Sequence, residues 1–208
     1  HGFKTTYDYD TLNNLTTVNQ GSQQRDFTYS SLSRLLSATN PESGTISYGY
    51  DSNGNLTSKV DARNITTNYS YDALNRVTQR SYSGESGYTT PTVTYTYGTT
   101  APAIGRLTKV ESSISTTEYT EFDILGRIKA HKQTTDGQHY TTGYVYNLSG
   151  ALIEQTYPSG RKVKNTLDGN GDLAQVHSQK SSTDIWRPYA SNFVYTAAGA
   201  VSSMKLGN

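Results

Sequence analysis

Tyr69-Ser70-Tyr71-Asp72-Ala73-Leu74-Asn75-Arg76-Val77 is the stretch that decides the fold. Two rings one residue apart share one face of a β-strand, because side chains alternate with period two. Asp72 then opens a turn, where a carboxylate can accept nearby backbone N–H groups. Asn75, four residues after the second ring, is of a type that tolerates positive φ, as needed in a three-residue hairpin loop closed by a bulge. Val77 starts the return strand. The nine residues therefore spell strand, tight turn, strand.

The same reading recurs along the chain. Tyr7-Asp8-Tyr9-Asp10 leads to Asn13 and Leu15, and Tyr48-Gly49-Tyr50-Asp51 to Gly54 and Leu56. Phe122-Asp123 leads to Gly126 and Ile128, and Tyr144-Val145-Tyr146 to Gly150 and Leu152. Weaker copies centre on Tyr29, Tyr97, Leu167 and Tyr195; Gly105, Gly171 and Gly199 fill the special turn position in the last three, and Ser33 stands there in the first. The nine anchors at 9, 29, 50, 71, 97, 122, 146, 167 and 195 are separated by 20 to 28 residues, most often 21. A period near 21 with loops of varying length is a repeat architecture. Second, looser turns join successive units, with candidates at Asn40–Gly44, Asp136-Gly137 and Pro158–Gly160. The longest, near Ser83–Pro91 and Ser178–Pro188, are where functional variation is expected.

One such hairpin does not stand alone in water, so the units are expected to stack, with rings forming ladders from one to the next. The expected fold is all-β: about nine tandem hairpins in a curved antiparallel ribbon, with essentially no helix. Because the pattern runs to both termini, residues 1–208 are read as one array, a section of a longer one, with no separate toxin or catalytic domain.

Composition agrees. Hydrophobic residues are 33% of the 208 and charged residues 17%, while Ser and Thr together number 55. Tyr, at 18 against 4 Phe and 1 Trp, is the main large apolar residue. It buries a ring while keeping a hydroxyl for hydrogen bonding. The net charge of +1, without a basic stripe, argues against nucleic acid as a partner. No apolar run is long enough to be a membrane-spanning helix, and without cysteine there is neither a disulfide framework nor thiol chemistry.

Catalytic and metal-binding patterns are weak. His1, His131, His139 and His177 lack ligand spacing; a two-residue turn at Asp136-Gly137 pairs His139 with Thr134 rather than with His131. Asp168-Gly169-Asn170-Gly171-Asp172 has the look of a calcium loop, but Leu173 stands where Gly is required and Gln179 where Glu is. The repeat-position Asp residues read as turn formers. No cofactor and no catalytic residue is expected. One feature has a binding reading: Arg34, Arg76, Arg106 and Arg127 follow the special turn residue, and with Tyr rings nearby could hold anionic or sugar groups. The competing reading is that they pair with neighbouring acids.

Tyr71-Asp72-Ala73-Leu74-Asn75-Arg76-Val77 and Phe122-Asp123-Ile124-Leu125-Gly126-Arg127-Ile128 resemble the Tyr-Asp-x-x-Gly-Arg-Leu consensus of Rhs/YD-repeat proteins. That family includes bacterial Rhs toxins, shell components of insecticidal toxin complexes, wall-associated toxins and the teneurins. The resemblance implies a β-ribbon that spirals into a hollow shell, secreted or at the cell surface. In the bacterial members the shell encloses a toxin. Its implied partners are the rest of its own shell, neighbouring repeats and an encapsulated toxin domain. The alternative is a glycan-binding adhesion surface. The junction at which such toxins release their effector is missing here, so self-cleavage does not carry over.

Overall fold

The computed structural model describes residues 4–207, and among them there is no helix. Eighteen strands follow one another, joined by turns. They cluster into two units, one running to Tyr95 and including Glu111–Ser113, the other comprising Thr96–Val110 and the residues from Ile114 onward.

The first unit holds β1 (Thr5–Tyr9), β2 (Leu15–Gln20), β3 (Gln23–Tyr29), β4 (Leu35–Asn40), β5 (Gly44–Tyr50), β6 (Leu56–Val60), β7 (Thr66–Tyr71), β8 (Val77–Ser83) and the start of β9 (Val93–Tyr97). The second holds the end of β9, most of β10 (Leu107–Glu111), β11 (Ser115–Phe122), β12 (Ile128–Thr135), β13 (Gln138–Tyr146), β14 (Leu152–Thr156), β15 (Lys162–Leu167), β16 (Leu173–Gln179), β17 (Arg187–Tyr195) and β18 (Val201–Leu206). From β1 to β9 and from β11 to β18, each strand is antiparallel to the one before it. The fold is thus a tandem array of hairpins, as the repeat predicts.

Besides the loop-closing bulge that the sequence predicts, most repeats carry a second β-bulge one pair farther down the hairpin, which the sequence pattern alone does not reveal. Tyr9 lies opposite Leu15, but Asp8 lies opposite Thr17, leaving Thr16 as the extra residue. The same shift recurs at Tyr29/Leu35, Tyr50/Leu56, Tyr71/Val77, Tyr146/Leu152, Leu167/Leu173 and Tyr195/Val201. A bulge places two residues of one strand against one of the other. Ring-facing positions on the return strand are therefore three apart, not two: Leu15 and Val18 face Tyr9 and Tyr7, and Leu35 and Ala38 face Tyr29 and Phe27. In β11 a further irregularity at Thr120 turns Tyr119 onto the ring face, opposite His131.

The opposite face is covered by small polar residues. Thr17 bonds Asp26 at 3.2 Å, Thr28 bonds Ser37 at 2.6 Å and Thr39 bonds Thr45 at 2.9 Å, each with its cross-strand partner. That is where much of the Ser and Thr goes. Among the described residues only Ala38, Ala190 and Thr142 are buried, and no large side chain is fully enclosed. Each unit is a single sheet layer with half-exposed rings, not a sandwich around a core.

Candidate functional site

The candidate site residues sit at the tight turns and the strands flanking them. In each turn the opening residue donates its N–H to the carbonyl four residues on and accepts from the N–H three residues on. For Asp72 these are Arg76 O and Asn75 N, both at 3.0 Å. Asp10, Ser30, Asp51, Asp123, Asn147, Asp168 and Thr196 make the same pair, and Gly98 makes it with Arg106 and Gly105 across a longer excursion. The special position has positive φ in every one: Asn13 63°, Ser33 56°, Gly54 88°, Asn75 59°, Gly105 72°, Gly126 73°, Gly150 94°, Gly171 90° and Gly199 79°. Ser33 takes the conformation too, without being Gly or Asn.

The turn carboxylates are occupied locally. Asp72 Oδ1 accepts from the N–H groups of Leu74 and Arg76 at 2.9 and 3.0 Å, while Oδ2 takes the Arg76 Nε–H at 2.7 Å. Asp123 repeats this with Leu125 and Arg127. Asp10 and Asp51 use the side-chain amides of Asn14 and Asn55. The Arg76 side chain holds the Asp72 carboxyl below the usual carboxylate range, and the Asn14 and Asn55 amides do the same for Asp10 and Asp51. At Asp123 burial pushes the other way, but the bonds from the Arg127 backbone and side chain outweigh it. These acids are fixed, ionised turn pieces, not proton carriers.

Three of the anchor tyrosines bind one repeat to the next. The Tyr50 hydroxyl donates to the carbonyl of Leu35 at 2.9 Å, Tyr71 to Leu56 at 2.8 Å and Tyr195 to Leu173 at 2.9 Å. Each acceptor is the return-strand residue at the bulge of a preceding repeat, where the ladder is disrupted. Repeat eight has Leu167 as its anchor and no hydroxyl to offer. There Asn165, two residues earlier on the same face, donates to Leu152 O at 3.2 Å. In the second unit His131 stacks on Tyr144, with 5.8 Å between centroids, and its Nδ1 lies 3.2 Å from the Tyr144 hydroxyl.

Three of the four arginines bond within the array, and Arg106 lies against it. Arg34 has Ser30 in place of an acid; it reaches Asp51 O at 2.9 Å and lies over the Tyr50 ring at 5.3 Å. Arg76 pairs with Asp72. Arg127 pairs with Asp123, bonds Asn147 O at 3.3 Å and stacks on Tyr146 at 4.9 Å. Arg106 lies on the next turn, so that a Cβ on Gly126 would come within 2.9 Å of its Nε. Arg34 and Arg127 each join a turn to its successor, and Arg106 lies against the turn that follows its own.

Two turns at the opposite ends of the hairpins share this geometry: Asp61–Ile65 and Tyr157–Arg161. The first has a sequence signal outside the anchor pattern, Asp61 followed three residues later by Asn64, and the repeat reading misses it. At Asp136-Gly137, His139 lies opposite Thr134 and bonds it at 2.9 Å, as a two-residue turn requires. Among the described residues no three His, Asp or Glu side chains converge as metal ligands; His1 lies outside them.

The repeat geometry has counterparts among known proteins. A family model described as RHS Repeat matches residues 29–65 and again 50–86, two overlapping windows one repeat apart. Residues 29–86 carry Rhs repeats. No curated protein matches the sequence. Among solved structures, the chain superposes on part of the Photorhabdus luminescens Tc holotoxin pore with a TM-score of 0.85 at 15% identity, over 97% of this chain and 11% of that one. The TcdB2–TccC3–Cdc42 structure gives 0.87 at 15% identity, covering 98% and 12%, and TcdB2–TccC3 without its hypervariable C-terminal region gives 0.86 at 15%, also covering 98% and 12%. The chain thus spans only 11 to 12% of the length of these chains, and at this identity the likeness is one of fold.

Proposed function

We propose that the chain is a segment of wall: a non-catalytic Rhs-repeat scaffold, acting outside the cell or at its surface, that encloses or supports a toxin or other cargo together with further repeats. The observation that carries this reading is where the repeat-specific groups are spent. The hydroxyls of Tyr50, Tyr71 and Tyr195, the turn carboxylates, and Arg34, Arg76 and Arg127 bond within and between hairpins. A surface evolved for chemistry would leave some of them aimed at a ligand. The fold likeness to toxin-complex structures supports the same reading.

The adhesion alternative built on Arg34, Arg76, Arg106 and Arg127 is less favoured, because Arg34, Arg76 and Arg127 are already engaged within the array. The test is cryo-electron microscopy of the full-length polypeptide that contains this chain. The proposal expects these hairpins in the wall of an enclosure with cargo density on one side. Finding both sheet faces open to solvent in that particle would refute it.

A further inference from the structure

The fifth repeat closes its tight turn without an acid. Gly98 opens it, donating its N–H to Arg106 O at 2.8 Å, and Gly105 N–H returns to Gly98 O at 2.8 Å. In the turns opened by Asp72 and Asp123, the aspartate neutralises the arginine at the closing position. No side chain fits at the opening position here, because a Cβ on Gly98 would collide with the Ala103 carbonyl. Arg106 consequently makes no ion pair among the described residues. It is exposed, and with Leu107, Tyr119, Phe122, Ile128 and Tyr146 it lines a cleft of about 460 Å3. These side chains share the ring face: Phe122 lies opposite Ile128, and the irregularity at Thr120 brings Tyr119 round beside them. Arg127 also borders the cleft, but Asp123 neutralises it and its guanidinium lies over the Tyr146 ring at 4.9 Å. The cleft is thus apolar and aromatic, with the unbalanced charge of Arg106 at its rim.

We infer that this cleft binds a small aromatic carboxylate, a planar ring bearing one carboxyl group. The ring packs among Tyr119, Phe122 and Tyr146, where offset or edge-to-face contacts between rings add to the burial of apolar surface. Its carboxylate pairs with Arg106 in the planar, charge-assisted geometry that arginine favours. The guanidinium is already held beside the site, since its Nε lies where a Cβ on Gly126 would come within 2.9 Å. A mostly apolar cleft with a single charged group to fix orientation is the usual build of a small-molecule site, and the volume is in the range of such sites. A simple inorganic anion would leave the three rings unused. A peptide is disfavoured because β12 and β13, which carry Ile128 and Tyr146, are hydrogen-bonded to neighbours on both sides and leave no open strand edge for a peptide backbone. This inference is independent of the wall reading.

The test is an NMR titration of the whole chain with benzoate, with benzamide (the same ring without the charge) and with cyclohexanecarboxylate (the same charge without the aromatic ring). Benzoate is expected to give saturable shifts at Arg106, Tyr119 and Tyr146, with the other two weaker by about tenfold. Arg106→Gln weakens benzoate by roughly tenfold, the loss of one charge-assisted bond, and leaves benzamide unchanged. Circular dichroism checks that this variant stays folded, as expected for a side chain without an ion pair. The exposed control Arg63→Gln leaves benzoate binding unchanged. Absence of benzoate shifts in folded protein, or shifts that survive Arg106→Gln undiminished, overturns the inference. Cyclohexanecarboxylate binding as tightly as benzoate at the same residues overturns the aromatic assignment.

Discussion

Replacing Tyr71 by Phe isolates the bond that joins repeats. The ring stays, and only the hydroxyl that donates to Leu56 O at 2.8 Å is lost. Tyr71 is half-buried, and burial pushes its phenol pKa up, so water replaces the missing donor poorly. A hydrogen bond of this kind contributes about 1 kcal/mol net, within a range of about 0.5–1.5. For a chain of this size that lowers the melting temperature by about 2–4 °C. Tyr9→Phe is the control: Tyr9 is 55% exposed and its hydroxyl makes no bond among the described residues, so its removal is expected to cost almost nothing. Urea unfolding followed by circular dichroism reads the difference as a lower midpoint at unchanged slope. If Tyr71→Phe costs no more than Tyr9→Phe, the hydroxyls do not hold the array together and the reasoning fails.

Asn165→Leu should cost about the same 1 kcal/mol, and adding Leu167→Tyr should restore it, since an anchor hydroxyl then reaches Leu152 O; urea midpoints of the single and double variants check both. Gly171→Ala places a side chain at φ 90° with no neighbour within 4 Å, costing about 1–2 kcal/mol by thermal melting. Gly126→Ala should cost more, because its Cβ would also crowd the backbone carbonyl of Pro102 at 3.2 Å, which yields less readily than the Arg106 side chain at 2.9 Å. Acid should loosen the array: Asp10, Asp51, Asp61, Asp72 and Asp123 all titrate lower than usual when folded. Their stabilisation is fully present above the unfolded carboxylate value of about 3.9 and is lost as pH falls through the lower folded values. Urea midpoints measured from about pH 7 downward should therefore hold to about pH 5 and fall steeply below about pH 4. A midpoint that is unchanged under strong acid would contradict the assignment of the turn carboxylates.

The hairpins are legible in the sequence because each position that specifies one has a local cause. Asp72 opens its turn through bonds to residues two and four away, and Asn75 tolerates the positive φ it adopts. The loop-closing bulge is legible too, but the second one, at Thr16 and its counterparts, is not, since its signal is spread over two strands. Leu15 and Val18, three apart, share a face only after Thr16 is squeezed out of register, and a period-two reading puts them on opposite faces. The arginines are legible as a repeated feature but not as staples: Arg127 reaches Asn147, twenty residues on, and such a partner follows from the stacking of hairpins rather than from neighbouring residues. The unpaired state of Arg106 is hidden for another reason. Gly98 opens its turn across a longer excursion, and the meaning of that glycine emerges only when its turn is set beside the turns that keep their aspartate.

Where Leu167 holds the anchor place, Asn165 supplies the bond that a tyrosine hydroxyl makes in other repeats, and this exchange bears on how such arrays change length. The receiving atom is a backbone carbonyl, which every residue possesses, and the bulge presents it in repeat after repeat. A newly inserted hairpin thus finds its socket ready whatever its side chains, and needs to bring only one donor at either of two positions. Growth and loss by whole hairpins is then a small evolutionary step, and repeat number becomes a freely varying trait of the lineage.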